Sequence, residues 1–367
     1  MAQASVVTPL PADLRDWLAA RADALDTGAQ AADAVTPTLG AAGVFRLGVP
    51  GAWGGVDGSD TGTAIDAIAA VAEESVAAAF MFWGQRTFIE YLLHTPNEAM
   101  RERWLPALLD GTLAGATGLS NAMKFLCGIE ALQIEARETA PGEWRLDGQM
   151  PWVTNLRPGN FVVAAAVRAP DGGTAIVALP DDTPGLTRSD DLSLIALQSS
   201  HTAAIRLADA PAGPALLIHG QATQYLPKVR PAFAGLQCGL SIGLARRALR
   251  EVLAGGATRP VLSDPAQTLV ATLDTLRAQL IEGVLDGRFQ TQPMALFELR
   301  IALAELAAEA VQLELQTHGG AAYLKHKRPG FERRWRESAF LPIVTPSLVQ
   351  LRGEIAKRRA LDAQATA

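Results

Sequence analysis

The hydrophobic period of this 367-residue chain changes twice, from helical to strand-like and back. Before about residue 113, apolar residues recur at three- and four-residue steps. Leu14, Trp17, Leu18, Ala22 and Leu25 make one such stretch, and Ile65, Ile68, Ala69, Val71 and Ala72 another. That spacing lines one face of an α-helix. It predicts helices over Ala12 to Leu25, Thr61 to Ala79 and Glu98 to Leu109, with a Gly- and Pro-punctuated loop from Gly43 to Gly55. From about 114 to 215 the pattern shortens. Ala131 to Thr139, Trp144 to Asn155, Phe161 to Arg168, Gly173 to Pro180 and Ala203 to Leu207 carry strand-like apolar runs, separated by turn signals such as Pro170 to Gly173. Long amphipathic stretches then return at Val229 to Leu253, Pro265 to Leu285, Met294 to Gln316 and Ser347 to Leu361. Helices, then strands, then helices is an α+β order, not an alternating βαβ one. The expected fold is mostly α: an N-terminal helical domain (1–113), a middle antiparallel β-barrel or sandwich (114–221) and a C-terminal helical domain (222–367).

Composition narrows the class. At 49% hydrophobic and 19% charged, the chain can bury a large core and is not a disordered segment. A net charge of −6 gives no general attraction to nucleic acid. Two cysteines, Cys127 and Cys238, cannot build a disulfide framework or a multi-thiolate zinc site. With no signal-peptide pattern and no apolar run of spanning length, a cytoplasmic protein without membrane insertion is expected.

Single motifs carry little chemistry. Gly239-Leu-Ser241-Ile-Gly243 fits a nucleophile elbow but falls within a helical run, where small residues serve close packing. Gly51 to Gly62 has no phosphate-loop lysine. Glu298, Glu305 and Glu309 read as a solvated helix face, the five histidines have no metal spacing, and Cys127 reads as a packed thiol. The basic run Lys325 to Arg336 fits either a solvated surface or a partner for phosphates or subunit carboxylates.

Read together, the segments resemble the acyl-CoA dehydrogenase family, in order and over nearly the whole chain. The residues are Gly43 to Pro50 with Trp53-Gly54-Gly55, Arg103 to Pro106 with Asp110-Gly111, and Trp152-Val153-Thr154-Asn155. They continue with Arg230-Pro231 and Gly239, His318 to Tyr323, and Glu332 to Glu337. The resemblance implies a helical domain, a β-domain and a C-terminal four-helix bundle, assembled as a homotetramer or homodimer holding FAD. It implies flavin contacts from Leu119, Ser120, Trp152, Val153 and Thr154, and from Gly319 and Gly320 across a subunit boundary. It places Arg230 near substrate. It also implies a small-molecule substrate such as an acyl-CoA, with an electron-transfer partner or a flavin reductase.

Three departures bear on activity. Dehydrogenation needs a carboxylate to take a proton as hydride leaves for flavin. Aligning Gln350 puts Val344 at the family's Glu position, and Val229 stands at the second place where the family carries that Glu. Pro342 to Leu351 contains no carboxylate. The family's small flavin-side loop is here Ser120 to Cys127, with bulky Met123, Lys124 and Phe125. The arginine segment that helps hold the FAD diphosphate is poorly matched near Arg259-Pro260. The catalytic residue is therefore unassigned. The expected function is flavin-dependent oxidation of an acyl-thioester-like substrate. The alternatives are a flavin monooxygenase of the same fold or a flavin-free binding relative.

Overall fold

The computed structural model describes residues 10–126, 130–255 and 259–365. The N-terminal part holds α1 (Ala12–Ala19), α2 (Ala22–Thr27), α3 (Val35–Ala41), α4 (Thr61–Glu74), α5 (Val76–His94) and α6 (Glu98–Leu109). The middle holds β1 (Ala114–Thr117), α7 (Ser120–Leu126), β2 (Ile134–Ala140), β3 (Glu143–Val153), β4 (Phe161–Arg168), β5 (Thr174–Pro180), β6 (Leu186–Arg188), β7 (Ala203–Ala212) and β8 (Leu217–His219). The last part holds α8 (Ala222–Ala254), α9 (Ser263–Leu285), α10 (Arg288–Thr291), α11 (Pro293–His318), α12 (Pro329–Phe340) and α13 (Leu348–Ala365). Cys127 lies outside the described residues.

The helix–strand–helix order is as the periodicity predicts, with three corrections. The strands form one open sheet in the order β6-β7-β3-β2-β4-β5-β8, with β1 parallel to β4, and not a closed barrel. The stretch expected as a helix from Thr61 to Ala79 breaks at Ser75. The Ser75 hydroxyl caps the next helix by accepting from Ala78 N–H, and that helix continues to His94. Residues 120–126 are helical, although they were matched to a family loop.

Burial explains what periodicity missed. Nearly all of α5 is buried, so it has no polar stripe to mark its period. β4 is buried on both faces. Val162, Ala164 and Ala166 join the large helical core, while Val163, Ala165 and Val167 join the smaller core of the sheet. On α8, Gly235, Gly239 and Gly243 recur every fourth residue and face α4. A Cβ at Gly239 would sit 2.9 Å from Ile65 O, and one at Gly243 would strike Ala69 O. Ser241 is buried in the same helix, so the elbow-like motif is a helix-packing seam.

The basic run from Lys325 is not uniformly a solvated surface. Arg334 pairs with Glu314, Arg336 with Asp26, and Arg333 with Glu337 (3.1 Å) and Asp23 (2.9 Å). These carboxylates belong to the same chain, and the pairs tie α12 to α2 and α11. Burial pushes the Glu337 carboxyl above its ordinary pKa, against the pull of Arg333. Glu298 and Glu305 pair with Arg359 and Arg352 of α13.

The sheet is joined to the helices by a buried amide pair. Gln85 Nε2 donates to Leu108 O (2.9 Å) and Leu113 O (2.8 Å), and its Oε1 accepts from Gly115 N–H (2.6 Å) and Asn155 Nδ2 (2.9 Å). Asn155 also donates to Gly115 O (2.9 Å) and accepts from Thr36 Oγ1 (3.1 Å). Asn155 holds φ at +62°, a conformation asparagine tolerates better than most residues. Asn155→Ala removes the amide from fully buried partners and strains the backbone. The expected loss is about 3 kcal/mol or more by denaturant unfolding. Asn155→Gly should lose about 1 kcal/mol less, because glycine accepts the positive φ.

Candidate functional site

A cavity of about 260 Å³ opens where the sheet, α5, α8 and the 340–345 segment meet. Its position follows from the amide pair above. The turn after β3 is fixed by Asn155, by Asn155 N–H and Thr154 Oγ1 donating to Ser200 O, each at 3.0 Å, and by Leu156 N–H donating to His201 O (3.0 Å). Just before that turn the β3–β7 register slips between Met150 and Val153. Pro151 has no N–H to donate there, and a bulge re-aims the following side chain. Trp152 therefore lines the cavity and remains 49% exposed.

One wall is aromatic and rigid. Phe80 stacks on Trp83 with ring centroids 5.4 Å apart, Phe340 meets Phe80 edge-on, and Phe233 meets Trp83 edge-on. Trp83 Nε1 donates to Phe233 O (3.2 Å), so its buried donor is satisfied. Ile343, Val344 and Thr345 close the side toward α7. There Ser120 Oγ donates to Thr345 Oγ1 (2.9 Å), linking the β-domain to the C-terminal part across the cavity edge. Behind this wall, Gln237 Nε2 donates to Thr345 O (2.9 Å), while the buried Arg300 donates to Gln237 Oε1 (2.7 Å) and Leu341 O (2.9 Å).

The opposite end is polar. Glu130 Oε1 accepts from Asn121 Nδ2 (2.9 Å) and pairs with Lys124 Nζ (3.2 Å). Asn121 also binds Ala131 O and Gln133 N–H, each at 2.9 Å, holding α7 against the start of β2. The Asn121 hydrogen bond, aided by Lys124, holds the Glu130 carboxyl below its ordinary pKa despite some desolvation. Glu130 is the one carboxylate among the described residues lining the cavity. Sequence reading passed over it because its partners are set by the helical turn of α7, which the family loop pattern conceals.

The residues expected at the site divide. Ser120, Trp152 and Thr154 line the cavity. Leu119 and Val153 lie in the two hydrophobic cores. The Thr154 hydroxyl is engaged by Ser200 O and Thr202 Oγ1. Gly319 (φ +57°), beside Arg259, and Gly320 follow α11, outside the cavity lining. Arg230 places its guanidinium 5.8 Å from the Phe297 ring centroid and also lies outside it. Val344 lines the cavity, whereas Val229 is buried in the core. Cys238 is buried, and desolvation pushes its thiol up to about 12, so it is inert. No group of three or more metal-ligating side chains occurs among the described residues.

The sequence profile of the acyl-CoA dehydrogenase N-terminal domain matches residues 13–112. The chain is 26% identical over 271 residues to the probable acyl-CoA dehydrogenase YngJ of Bacillus subtilis (strain 168), covering 69% of this chain and 70% of that one. It superposes on glutaryl-coenzyme A dehydrogenase in its glutaryl-CoA complex with a TM-score of 0.82, at 16% identity, over 96% of this chain and 94% of that one. This is the acyl-CoA dehydrogenase fold, and residues 13–112 resemble that family's N-terminal domain. The same fold includes KijD3, whose structure holds FMN and a dTDP-linked amino-keto sugar (TM-score 0.77, 20% identity, 95% and 91% coverage).

The Glu130 contacts give a pH signature. Because its folded pKa lies below the unfolded one, these contacts stabilise the fold above the ordinary carboxylate range. That contribution is lost as pH falls through the folded value. Asn121→Ala should move the Glu130 titration upward, read by carboxyl-carbon NMR. An unmoved titration would contradict the hydrogen-bond assignment.

Proposed function

We propose that this chain is a flavin-dependent oxidoreductase that acts on a small acyl-thioester-like substrate, with FAD as its cofactor. The supporting observation is the cavity itself. An exposed indole at Trp152, the Ser120 hydroxyl and the Thr117–Gly118 backbone face an apolar aromatic wall. Such a surface suits a flat heterocycle with a polar edge. Bound there, a flavin would supply a two-electron oxidant. The chain's own residues then orient and exclude. Trp152 would cover the ring, Ser120 Oγ, its proton donated to Thr345 Oγ1, would offer a lone pair at the edge, and the aromatic wall would keep water from the reacting carbons.

At about 260 Å³ the cavity is smaller than the usual range for small-ligand sites. It accommodates the ring end of the cofactor and a short substrate. The remainder of FAD lies outside it, and Gly319 and Gly320 serve from a second copy in a homodimer or homotetramer. Reoxidation falls to an electron-transfer partner or to oxygen.

A second reading is a monooxygenase of the same fold. Valine at both 344 and 229 favours it, since oxygen activation on reduced flavin needs no carbon-bound proton removed at those positions. The visible spectrum separates the readings. Purified protein should show flavin absorbance or acquire it on adding FAD. A short acyl-CoA should bleach it without air, whereas oxygen uptake only with supplied reduced flavin supports the monooxygenase. A colourless protein that takes up neither FAD nor FMN would refute both. Trp152→Ala should weaken flavin affinity about tenfold by fluorescence titration, the equivalent of one aromatic stacking contact.

A further inference from the structure

We propose that Glu130 is the proton-accepting carboxylate of this site, standing in for the one that Val344 lacks. The inference rests on the thioester reading and deepens it. Oxidising a carbon–carbon bond beside a thioester carbonyl removes one hydrogen as a proton, and a side chain in the cavity has to receive it. Glu130 is the one carboxylate lining the cavity among the described residues. It lines the same cavity as Val344. Its partner Asn121 adjoins Ser120, whose hydroxyl bonds Thr345, next to Val344.

Both polar contacts of Glu130 fall on Oε1, and Oε2 takes the proton. The electron pair of the broken C–H bond stays on the substrate as an enolate. A flavin held against Trp152 would supply the two-electron acceptor for the hydride of the adjacent carbon, so that the substrate would end with a carbon–carbon double bond. Lys124 and Asn121 keep the carboxylate ionised and oriented before substrate arrives. Filling the cavity with an apolar chain strips water from the carboxylate and raises its proton affinity.

The test separates proton removal from net oxidation. FAD-loaded protein is incubated with butyryl-CoA in D2O, and deuterium entering the carbon next to the carbonyl is followed by mass spectrometry. Wild type should exchange. Glu130→Gln, which keeps an acceptor for Asn121 and Lys124, should exchange about 100-fold more slowly while binding FAD unchanged. Adding Val344→Glu to that variant should restore exchange. Lys124→Met should shift the pH profile of exchange upward. Unchanged exchange in Glu130→Gln overturns the assignment and leaves the thioester reading intact. No exchange in wild type, with FAD bound, overturns both.

Discussion

The hydrogen bond between Gln85 and Asn155 joins the two halves on which the cavity depends. Gln85 sits in the most buried helix and Asn155 ends the turn that follows Trp152. Both polar atoms of the Gln85 amide are matched to partners: backbone atoms of α6, of the turn before β1 and of β1 itself, and the Asn155 amide. A buried amide is costly to leave unpaired. The sheet can therefore meet α5 in one register only, and the aromatic wall of α5 is held opposite the exposed indole. The salt-bridge set of α12 does the same for the far side, fixing the segment that leads into residues 341–345.

Much of the architecture was legible from spacing, because amphipathic helices and half-buried strands advertise their period. The parts that were not legible share a cause. α5 is buried on nearly all sides, and Gln85, Arg86 and Glu90 find their partners inside the protein. α7 is short and sits where the family pattern is a loop. The sheet's openness depends on which strands pair, which no local period records. The run Lys325 to Arg336 looked like surface because its carboxylate partners lie far away in sequence, at Asp23, Asp26 and Glu314.

The site was legible in outline and not in its chemistry. Ser120, Trp152 and Thr154, the residues singled out by resemblance, line one cavity. Thr154 spends its hydroxyl on the turn, and the conspicuous Asn155 is a joint between layers. The ionisable pair, Lys124 and Glu130, is brought to the cavity by α7 and the irregular segment before β2, which alignment to a loop cannot show. Fold and chemistry separate here in the ordinary way: the scaffold is shared, and a few side chains decide the reaction.

The cavity wall draws on residues near 80, 120, 150, 233 and 344, so its parts are spread over most of the chain. During synthesis, a chain released only as far as α8 would carry most of the wall and still hold no enclosed space. Closing so many distant pairings is slow compared with forming single helices. The cavity is thus among the last features to exist as the protein is made. Until residues 340–345 arrive, the aromatic wall stands open to water and to other chains.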